Sequence, residues 1–294
     1  MKLSSEAKFG LLLLSPSIFT LGIFSIYPAI WVLWLSFNER VLFQSGMDFV
    51  GLQNYQKLLS SPTFYFSLIN TSIWTIGTVT LQVLVGLGTA LLLNKDLRLR
   101  SLGRAVALFP YVLPIIVTTF IWSWMFSDVV GIINYLLVTL GLTRGPLVWL
   151  GDPDMAMIVA IFVGFWKFFP FATIAFLAAI VTIPVQLYEA AKIDGAGSVK
   201  QFIHVTLPQL QSIILLIIIF RTIWMYTNFD LVWLLTRGGP AMATHTLPIY
   251  AYRLSFIVQD YSLGGTVSVL TFLTIGLFVL VYFMKFRPAR GETN

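Results

Sequence analysis

The sequence predicts an all-α membrane protein with six transmembrane helices. Of its 294 residues, 58% are hydrophobic and only 10% are charged, whereas soluble domains carry about 25% charged residues. Several long stretches contain no charge, and the basic residues between them fall mostly on one side of the predicted helices. So few charges cannot cover a water-facing surface, and the mean hydropathy of +0.88 agrees with burial in a bilayer.

The gaps between charged residues give the positions of the spans, since a helix needs about 20 apolar residues to cross the hydrocarbon core. The predicted spans lie near 10–37, 67–93, 105–126, 157–182, 209–235 and 264–284. Lys167 interrupts the fourth span, and Arg221 and Asp230 interrupt the fifth. The apolar stretch 129–143 is too short to cross and is predicted to lie at the membrane interface or to re-enter. Residues 1–294 are taken as one transmembrane domain.

Basic residues that flank the spans predict the orientation of the chain. With both termini in the cytoplasm, eleven lysines and arginines lie inside and five lie outside. The inner set is Lys2, Lys8, Lys95, Arg98, Arg100, Arg104, Lys192, Lys200, Lys285, Arg287 and Arg290, and the outer set is Arg40, Lys57, Arg144, Arg237 and Arg253. The dense run 95–104 decides the orientation. The net charge of +6 is therefore attributed to anchoring at the membrane surface, and a nucleic-acid partner is not expected.

The sequence lacks the residue patterns of an enzyme or of a self-sufficient pump. No lysine follows a glycine, so the chain has no G-x-x-x-x-G-K-[ST] loop for a nucleotide phosphate. It contains no cysteine, and His204 and His245 fall on opposite sides of the predicted membrane, so no metal site is expected. Proton-coupled carriers use acidic residues inside the membrane, and only Asp230 is a candidate. The chain is predicted to be a non-catalytic part of a complex whose energy comes from other subunits.

The loop between spans four and five, 184–208, has the most specific pattern in the chain. A helix-favouring run stops at Gly195 and Gly197, and Ser198 with Gln201 forms an S-x-x-Q capping box that predicts a second helix. A short helical hairpin on the basic side of the membrane is expected to dock on a partner. An ordinary interfacial linker is the alternative.

The same loop carries a family signature. The pattern E-A-A-x3-G-x9-[I/V]-x-L-P is matched by Glu189, Ala190, Ala191, Gly195, Val205, Leu207 and Pro208. It resembles the signature loop of binding-protein-dependent ABC importer permeases, with Val205 in place of the more usual isoleucine. The resemblance implies a cytoplasmic coupling helix between helices four and five that sits in a cleft of the ATPase subunit. The residues that would make this contact are Glu189, Ala190, Ala191, Asp194 and Gly195.

Further landmarks extend the resemblance along the chain. They are Tyr27-Pro28, Ser36-Phe37, the F-V-G-L-Q-N-Y run 49–55, Arg104, Pro110, Pro114, Trp122, Met125-Phe126, the W-x-x-F-P-F run 166–171 and the L-T-R-G-G-P run 235–240. Together they resemble the carbohydrate-uptake group, on the side of the pair similar to the larger maltose-transporter permease. The resemblance implies an importer subunit for a sugar or sugar-like solute in the inner (plasma) membrane of a bacterial cell.

The resemblance also implies the partners and the energy source. The chain would work by alternating access with a second homologous permease, two ATPase subunits and an external solute-binding protein. ATP and magnesium would be bound by the ATPase subunits, and this chain would need no cofactor of its own. An importer of the same type for glycerol phosphate, a polyol or an amino acid is one alternative. A self-sufficient secondary carrier is another, and the missing acidic relay argues against it.

Candidate solute-binding residues lie in spans four and five. An ionisable residue inside a membrane indicates a functional site, which makes Lys167 a candidate. At 100° per residue it shares a helical face with Phe171, and Trp166 and Phe168 flank that face. The resemblance implies that this segment lines the solute site. The alternative is that Lys167 pairs with a carboxylate or with carbonyls of a neighbouring subunit.

In span five, Arg221, Met225 and Asn228 fall at i, i+4 and i+7 and predict one helical stripe. Asn228, with Tyr226 beside it, matches a region that contacts substrate in the sugar permeases. An amide and aromatic faces suit a sugar, whose hydroxyls need donors and acceptors. Arg221 would lie about 10 Å along the axis from Asn228. It is therefore interpreted as a gate or as an interhelical pairing residue.

Overall fold

The computed structural model describes residues 5–39, 46–95 and 98–285. The chain divides into two compact units, one formed by Met1–Tyr65 with Tyr250–Leu273 and the other by Phe66–Ile249 with Thr274–Asn294. Each unit is described by itself, and the single transmembrane domain stays a prediction. Four residues used above for the orientation lie outside the described residues. They are Lys2, Arg40, Arg287 and Arg290.

The first unit begins with a long apolar helix. It comprises α1 (Ser5–Leu21), a π-helical turn (Gly22–Ile26) and α2 (Tyr27–Leu35). Within this helix Leu12–Leu35 is long and apolar enough to cross a membrane, and only 6% of its most apolar window is buried. Such a helix is stable in lipid because its backbone bonds are satisfied internally while its apolar side chains face hydrocarbon.

A small polar cluster closes the end of this first helix. Two short strands pair antiparallel, β1 (Asn38–Glu39) with β2 (Asp48–Phe49), and α3 (Gln53–Leu59) follows. Asn54 Nδ2 donates to the carbonyls of Ser36 and Asn38 at 3.1 and 3.0 Å, and the Tyr55 hydroxyl lies 2.6 Å from Ser36 Oγ. The N-Y pair of the 49–55 landmark therefore fastens the loop to the end of α2.

The second unit contains most of α4 (Pro62–Asn94), then α5 (Arg100–Val112) and α6 (Ile115–Met125). The axes of α5 and α6 meet at 97°. The predicted span 105–126 therefore consists of two helices with a bend between them, and its crossing as one span stays a prediction. The physical reason for the bend is Pro114, which has no N–H and forces the preceding Leu113 into an extended conformation at φ −61°, ψ 138°.

The short stretch after α6 does not cross the membrane. Its helix, α7 (Ile132–Thr139), has eight residues and is therefore about 12 Å long. Asn134 anchors it: the side-chain oxygen accepts from the Leu147 N–H at 3.0 Å and from Trp149 Nε1 at 2.9 Å. The prediction that 129–143 is too short to span is confirmed for the helix that it forms.

The longest uninterrupted apolar helix after α4 is α8 (Pro153–Val181), which begins at an Asp152 cap whose side chain accepts from the Asp154 N–H. It remains helical through Pro170. Next come α9 (Val185–Ile193), α10 (Ser198–Gln201), a π-helical turn (Phe202–Thr206) and α11 (Leu207–Gln209). A bend of 63° then separates this segment from α12 (Gln211–Tyr226).

The predicted fifth span, 209–235, is wrong as a single helix. It breaks after Tyr226, and α13 (Asp230–Thr236) begins three residues beyond the Thr227 cap. Thr and Asn favour non-helical conformations because their side chains compete for backbone hydrogen bonds, and Thr227-Asn228 stands at this break.

The loop between α13 and α14 (Leu247–Tyr252) is fastened to α4 by buried polar groups. Ser67 Oγ lies 2.9 Å from Nδ1 of His245, and Asn70 Nδ2 donates to the Met242 carbonyl at 3.0 Å. Thr71 Oγ1 accepts a backbone N–H from the start of α14 at 2.8 Å. This loop contains the G-G-P part of the 235–240 landmark. The last helix is α15 (Tyr261–Lys285).

The described part of the chain is a mostly helical membrane protein with four to six crossings. Four helices are long and apolar enough to span a bilayer, and six segments qualify if each bent pair counts as one span. The four are Leu12–Leu35, Pro62–Asn94, Pro153–Val181 and Tyr261–Lys285, and the bent pairs are Ser101–Val112 with Ile115–Met125 and Ser198–Gln209 with Gln211–Tyr226.

Candidate functional site

Lys167 lies in the middle of α8 and is only 3% exposed. Its ammonium donates to the carbonyls of Pro110 and Tyr111, both at 2.9 Å, and also to the carbonyl of Leu113. These carbonyls belong to the C-terminal end of α5, where the last C=O groups of a helix have no partner in the helix itself. A cation at this end also interacts favourably with the helix dipole. Lys167 therefore caps α5 at its bend.

This geometry bears on both interpretations of Lys167. An ammonium has three N–H groups, and three carbonyls of the same chain accept from it. The alternative of pairing with carbonyls is thus the one that the geometry favours, although the carbonyls belong to this chain and not to a neighbouring subunit. A contact between Lys167 and solute stays a prediction.

The aromatic residues beside Lys167 lie in two different environments. Trp166 packs edge-on against Trp122 of α6, with ring centroids 5.2 Å apart. Phe168 is buried at 8% exposure, and the Lys167 Nζ lies 5.9 Å from its ring centroid. Phe171 is partly buried, with its ring centroid 6.5 Å from that of Tyr111 on α5. The face predicted from Lys167 and Phe171 is therefore turned towards α5.

The same face of α8 also packs tightly against α4 one turn earlier. A Cβ atom on Gly164 would lie 2.4 Å from Trp74 and 3.0 Å from Thr78, so only glycine allows this approach. Trp74 in turn donates its indole N–H to the Met225 carbonyl at 2.9 Å, which also accepts from the Asn228 N–H at 3.2 Å at the end of α12. Trp74 thereby joins α4, α8 and α12 at mid-height.

Arg221 on α12 is 1% exposed and pairs across helices. Its Nε donates to Gln82 Oε1 on α4 at 2.7 Å. The guanidinium carbon lies 5.0 Å from the ring centroid of Phe168, 5.3 Å from that of Phe171 and 5.4 Å from that of Trp224. The prediction of an interhelical pairing residue is confirmed, with Gln82 as the partner.

The structure separates the members of the predicted stripe in span five. Arg221 and Met225 do lie one turn apart and touch, with Nη2 3.9 Å from Sδ. Asn228 follows the end of α12 at Tyr226, so its side chain does not continue the helical stripe as predicted. Its Oδ1 is buried and has no hydrogen-bond partner among the described residues. The Tyr226 hydroxyl donates to Thr274 Oγ1 on α15 at 2.9 Å.

Two functional-site residues were missed by the sequence prediction. Gln82 holds the buried arginine, and Trp224 covers it while remaining 54% exposed. A signal for Gln82 existed, since it is the only carboxamide side chain between Asn70 and Asn94 in an otherwise apolar helix. Nothing in the spacing distinguished Trp224 from the other aromatic residues. Of the predicted solute residues, Phe168 and Phe171 lie beside Arg221, and the Lys167 Nζ lies 5.9 Å from the ring centroid of the same Phe168.

The second candidate site is the loop after α8. Helix α9 ends at Asp194 in a Schellman arrangement: the Ala196 N–H donates to the Ala191 carbonyl at 2.8 Å and the Gly195 N–H to the Lys192 carbonyl at 3.0 Å. Gly195 has φ +75°, which L-residues other than glycine rarely adopt. The sharp stop predicted at this glycine is confirmed.

The predicted capping box is wrong. Gly197 and not Ser198 is the N-cap of α10, and the helix start has no side-chain cap. The Gln201 amide instead donates to the Ala196 carbonyl at 2.8 Å, which braces the turn from the other side. No residue of α9 is buried in this described loop, and Glu189, Ala190, Asp194 and Gly195 are exposed while Ala191 is half-buried. The loop therefore presents a rigid, open surface.

A comparison with protein families gives one match. The model described as the inner membrane component of binding-protein-dependent transport systems covers residues 82–287, which is more than half of the chain.

Curated relatives match over nearly the whole length. The chain is 36% identical to the trehalose/maltose transport system permease protein MalF of Thermococcus litoralis, over 94% of this chain and 93% of that protein. It is 35% identical to the inner membrane ABC transporter permease protein YcjO of Escherichia coli, over 94% of both. It is 33% identical to the sulfoquinovosyl glycerol transport system permease protein SmoG of Agrobacterium fabrum, over 90% of this chain and 85% of that protein.

Among solved structures, a bacterial ABC transporter involved in the import of the acidic polysaccharide alginate contains a chain of the same fold. The TM-score is 0.82 at 22% identity, and the match covers 97% of this chain and 96% of that chain. At that identity the likeness establishes the fold alone.

Proposed function

The chain belongs to the family of inner membrane components of binding-protein-dependent transport systems, and on that premise we propose that it is one of two permease subunits of an ATP-driven importer for a sugar or sugar-like solute. The observation that carries the proposal is the loop after α8. It combines an exposed α9, a glycine turn at φ +75° and the family's E-A-A-x3-G pattern at 189–195. An exposed and rigidly turned helix of this kind is suited to transmit movement from a partner.

The solute class is supported by the relatives. The three compared proteins are named for trehalose and maltose, for sulfoquinovosyl glycerol, and for an ABC transporter without a stated solute. Full-length matches at 33–36% identity support a related solute for this chain. The same machine for glycerol phosphate, a polyol or an amino acid is the alternative within the class.

The topology that we propose has six crossings, with each bent pair counted as one span and both termini in the cytoplasm. Two of the six crossings are then bent helices, which a bilayer tolerates only where the freed backbone groups find partners in the protein. The carbonyls freed at the α5 bend find one in Lys167. In this orientation α9 lies on the cytoplasmic side, where it can serve as the coupling helix.

The proposed mechanism is alternating access. The two ATPase subunits bind ATP with magnesium and close, and their movement passes through the Glu189, Ala190, Ala191, Asp194 and Gly195 surface of this chain. A cavity near Lys167 and Asn228 then opens outward to receive solute from the binding protein. This chain catalyses no chemical step and holds no cofactor in the proposal. Asp230 is the only acidic residue in the six predicted spans, and the lack of a second acid for a relay argues against a proton-driven carrier.

The test is reconstitution of the complex in liposomes. The chain is co-expressed with its second permease and ATPase subunits. ATP hydrolysis is measured with a binding protein loaded in turn with neutral sugars, such as trehalose and maltose, and with acidic sugars. We expect stimulated hydrolysis and ATP-dependent uptake. Uptake driven by a proton gradient through this chain alone, without ATPase subunits, would overturn the proposal in favour of a secondary carrier.

A further inference from the structure

The described transmembrane segments contain two buried cations, Lys167 and Arg221, whereas Asp230, the only acidic residue in the predicted spans, is exposed. Lys167 and Arg221 are 3% and 1% exposed. No Asp or Glu occurs in 58–95, 155–188 or 195–229, the segments that surround them. A charge inside a membrane is costly and is retained where it has a partner or a function. The two cations differ sharply in how they are satisfied.

Every N–H donor of the Lys167 ammonium has an acceptor, whereas some donors of the Arg221 guanidinium have none within the described ranges. The three N–H groups of the lysine each meet a backbone carbonyl. The arginine makes one strong bond, from Nε to Gln82 Oε1, and its Nη2 reaches only the thioether of Met225, a weak acceptor. Its Nη1 is buried with no hydrogen-bond partner in the described part of the chain.

Gln82 has the same deficit. Its oxygen accepts from Arg221, but its Nε2 is also buried without a partner among the residues described. Arg221 and Gln82 are thus a hydrogen-bonded pair with unsatisfied donors on both members and no unsatisfied acceptor. Buried donors of this kind are unfavourable unless something accepts from them, so each calls for an explanation. An acceptor-rich group is the kind of partner that these free donors require.

Three aromatic rings cover the guanidinium of Arg221, and two of these rings are partly exposed. The rings of Phe168, Phe171 and Trp224 lie 5.0–5.4 Å from the guanidinium carbon. Their faces attract the cation but accept no hydrogen bond in its plane. Phe168 is buried, whereas Phe171 is half-buried and Trp224 is 54% exposed, so the cover is thinnest at these two rings.

We propose that Arg221 and Gln82 form a donor-only subsite for an anionic, oxygen-rich group of the solute, with Phe171 and Trp224 as its movable cover. Carboxylate, sulfonate and phosphate share the required chemistry, because each offers several acceptors and a negative charge opposite to that of the guanidinium. Arginine binds such groups through paired N–H donors. The inference rests on the proposed transport function and narrows its solute to an acidic sugar.

The experiment measures equilibrium binding to the complete complex in lipid nanodiscs, without the binding protein and without ATP. The probes are glucose, glucuronate, glucose 6-phosphate and glucose 6-sulfate, which differ only at carbon 6. We expect at least one anionic probe to bind ten-fold or more tightly than glucose. Arg221→Gln should remove most of that preference, Gln82→Leu should reduce it several-fold, and Arg221→Lys should retain part of it.

The matched control is Arg104→Gln, which removes an exposed arginine elsewhere on the chain and should leave all four affinities unchanged. Equal binding of glucose and of all three anions to the wild-type complex would overturn the proposal. An Arg221→Gln complex that keeps its preference for an anion would do the same.

If Arg221→Gln does not assemble, the wild-type complex still gives a test through the cover. Binding of the preferred anion should change the fluorescence of Trp224, and Trp224→Phe should abolish that change. An anion that binds without affecting this signal would place its site elsewhere and refute the proposal. Because no readout uses ATP hydrolysis, a complex that binds the anion but shows no binding-protein-stimulated ATPase activity would contradict the transport function and not the subsite.

Discussion

Replacing Lys167 with methionine should destabilise the bend between α5 and α6. The substitution keeps the length of the side chain and removes three hydrogen bonds to carbonyls of Pro110, Tyr111 and Leu113. Interhelical hydrogen bonds within membranes contribute about 0.6 kcal/mol on average and about 1.7 at most, so three of them amount to about 2–5 kcal/mol. Pro114 prevents the helix from reforming across the gap, because it has no N–H to donate to the Pro110 carbonyl four residues earlier.

The measurement is the free energy of unfolding of the purified chain in mixed micelles, titrated with a denaturing detergent. Lys167→Met should lose stability within that range, and Arg104→Met, on an exposed face of the same α5, should lose almost none. The complex should still bind solute with affinity close to that of the wild type once assembled. Unchanged stability together with much weaker solute binding, by more than Asn228→Ala causes, would refute the capping role and support Lys167 as a solute ligand.

Three further predictions follow from single positions. Gly195→Val should abolish binding-protein-stimulated ATP hydrolysis, because a β-branched residue is disfavoured at φ +75°. Gly197→Val, at φ −69° and with equally open space around the Cβ atom, should retain most of that hydrolysis, and equal effects of the two substitutions would show that the turn is not the coupling element. Gly164→Ala should destabilise the chain by about 1–3 kcal/mol, because the added Cβ atom would clash with Trp74. Gly88→Ala, whose Cβ atom would lie in open space, should be neutral or stabilising, and thermal unfolding of the two variants would test this difference. Single cysteines at Ser101 and Val258, both exposed, should react with an impermeant reagent from opposite sides of the membrane, and labelling of both from outside would contradict the six-span topology.

The periodicity and charge of the sequence were sufficient for the coarse fold. The apolar gaps located the segments that form α4, α8 and α15, because hydrocarbon tolerates few charges and the threshold length is set by the bilayer. The apolar gaps did not reveal the helix breaks at Pro114 and at Thr227-Asn228, where the apolar sequence continues but the helix does not. Hydropathy measures the cost of burial and contains no information on whether the backbone bonds are continuous.

The conformation of the 184–208 loop was predictable where one residue controls it. It was not predictable where two side chains have to act together. Gly195 alone can adopt the left-handed conformation at the end of α9 at low cost, so the stop at that residue followed from the sequence. The start of α10 was predicted at a Ser198–Gln201 capping box, which needs two side chains to meet backbone N–H groups at once. The structure uses the glycine because the Gln201 amide bonds the Ala196 carbonyl and not the predicted backbone N–H.

The sequence by itself determined that this chain is a helical membrane protein, that the loop after α8 carries a glycine-stopped helix, and that Lys167 and Arg221 require explanation. Only the tertiary structure decided what those two cations do. The partners of Lys167 lie 54–57 residues away along the chain, and Gln82 lies 139 residues from Arg221. Spacing along one helix reports which side chains share a face, but not which neighbouring helix that face meets. The difference between a satisfied ammonium and an unsatisfied guanidinium arises only when helices distant in sequence pack together.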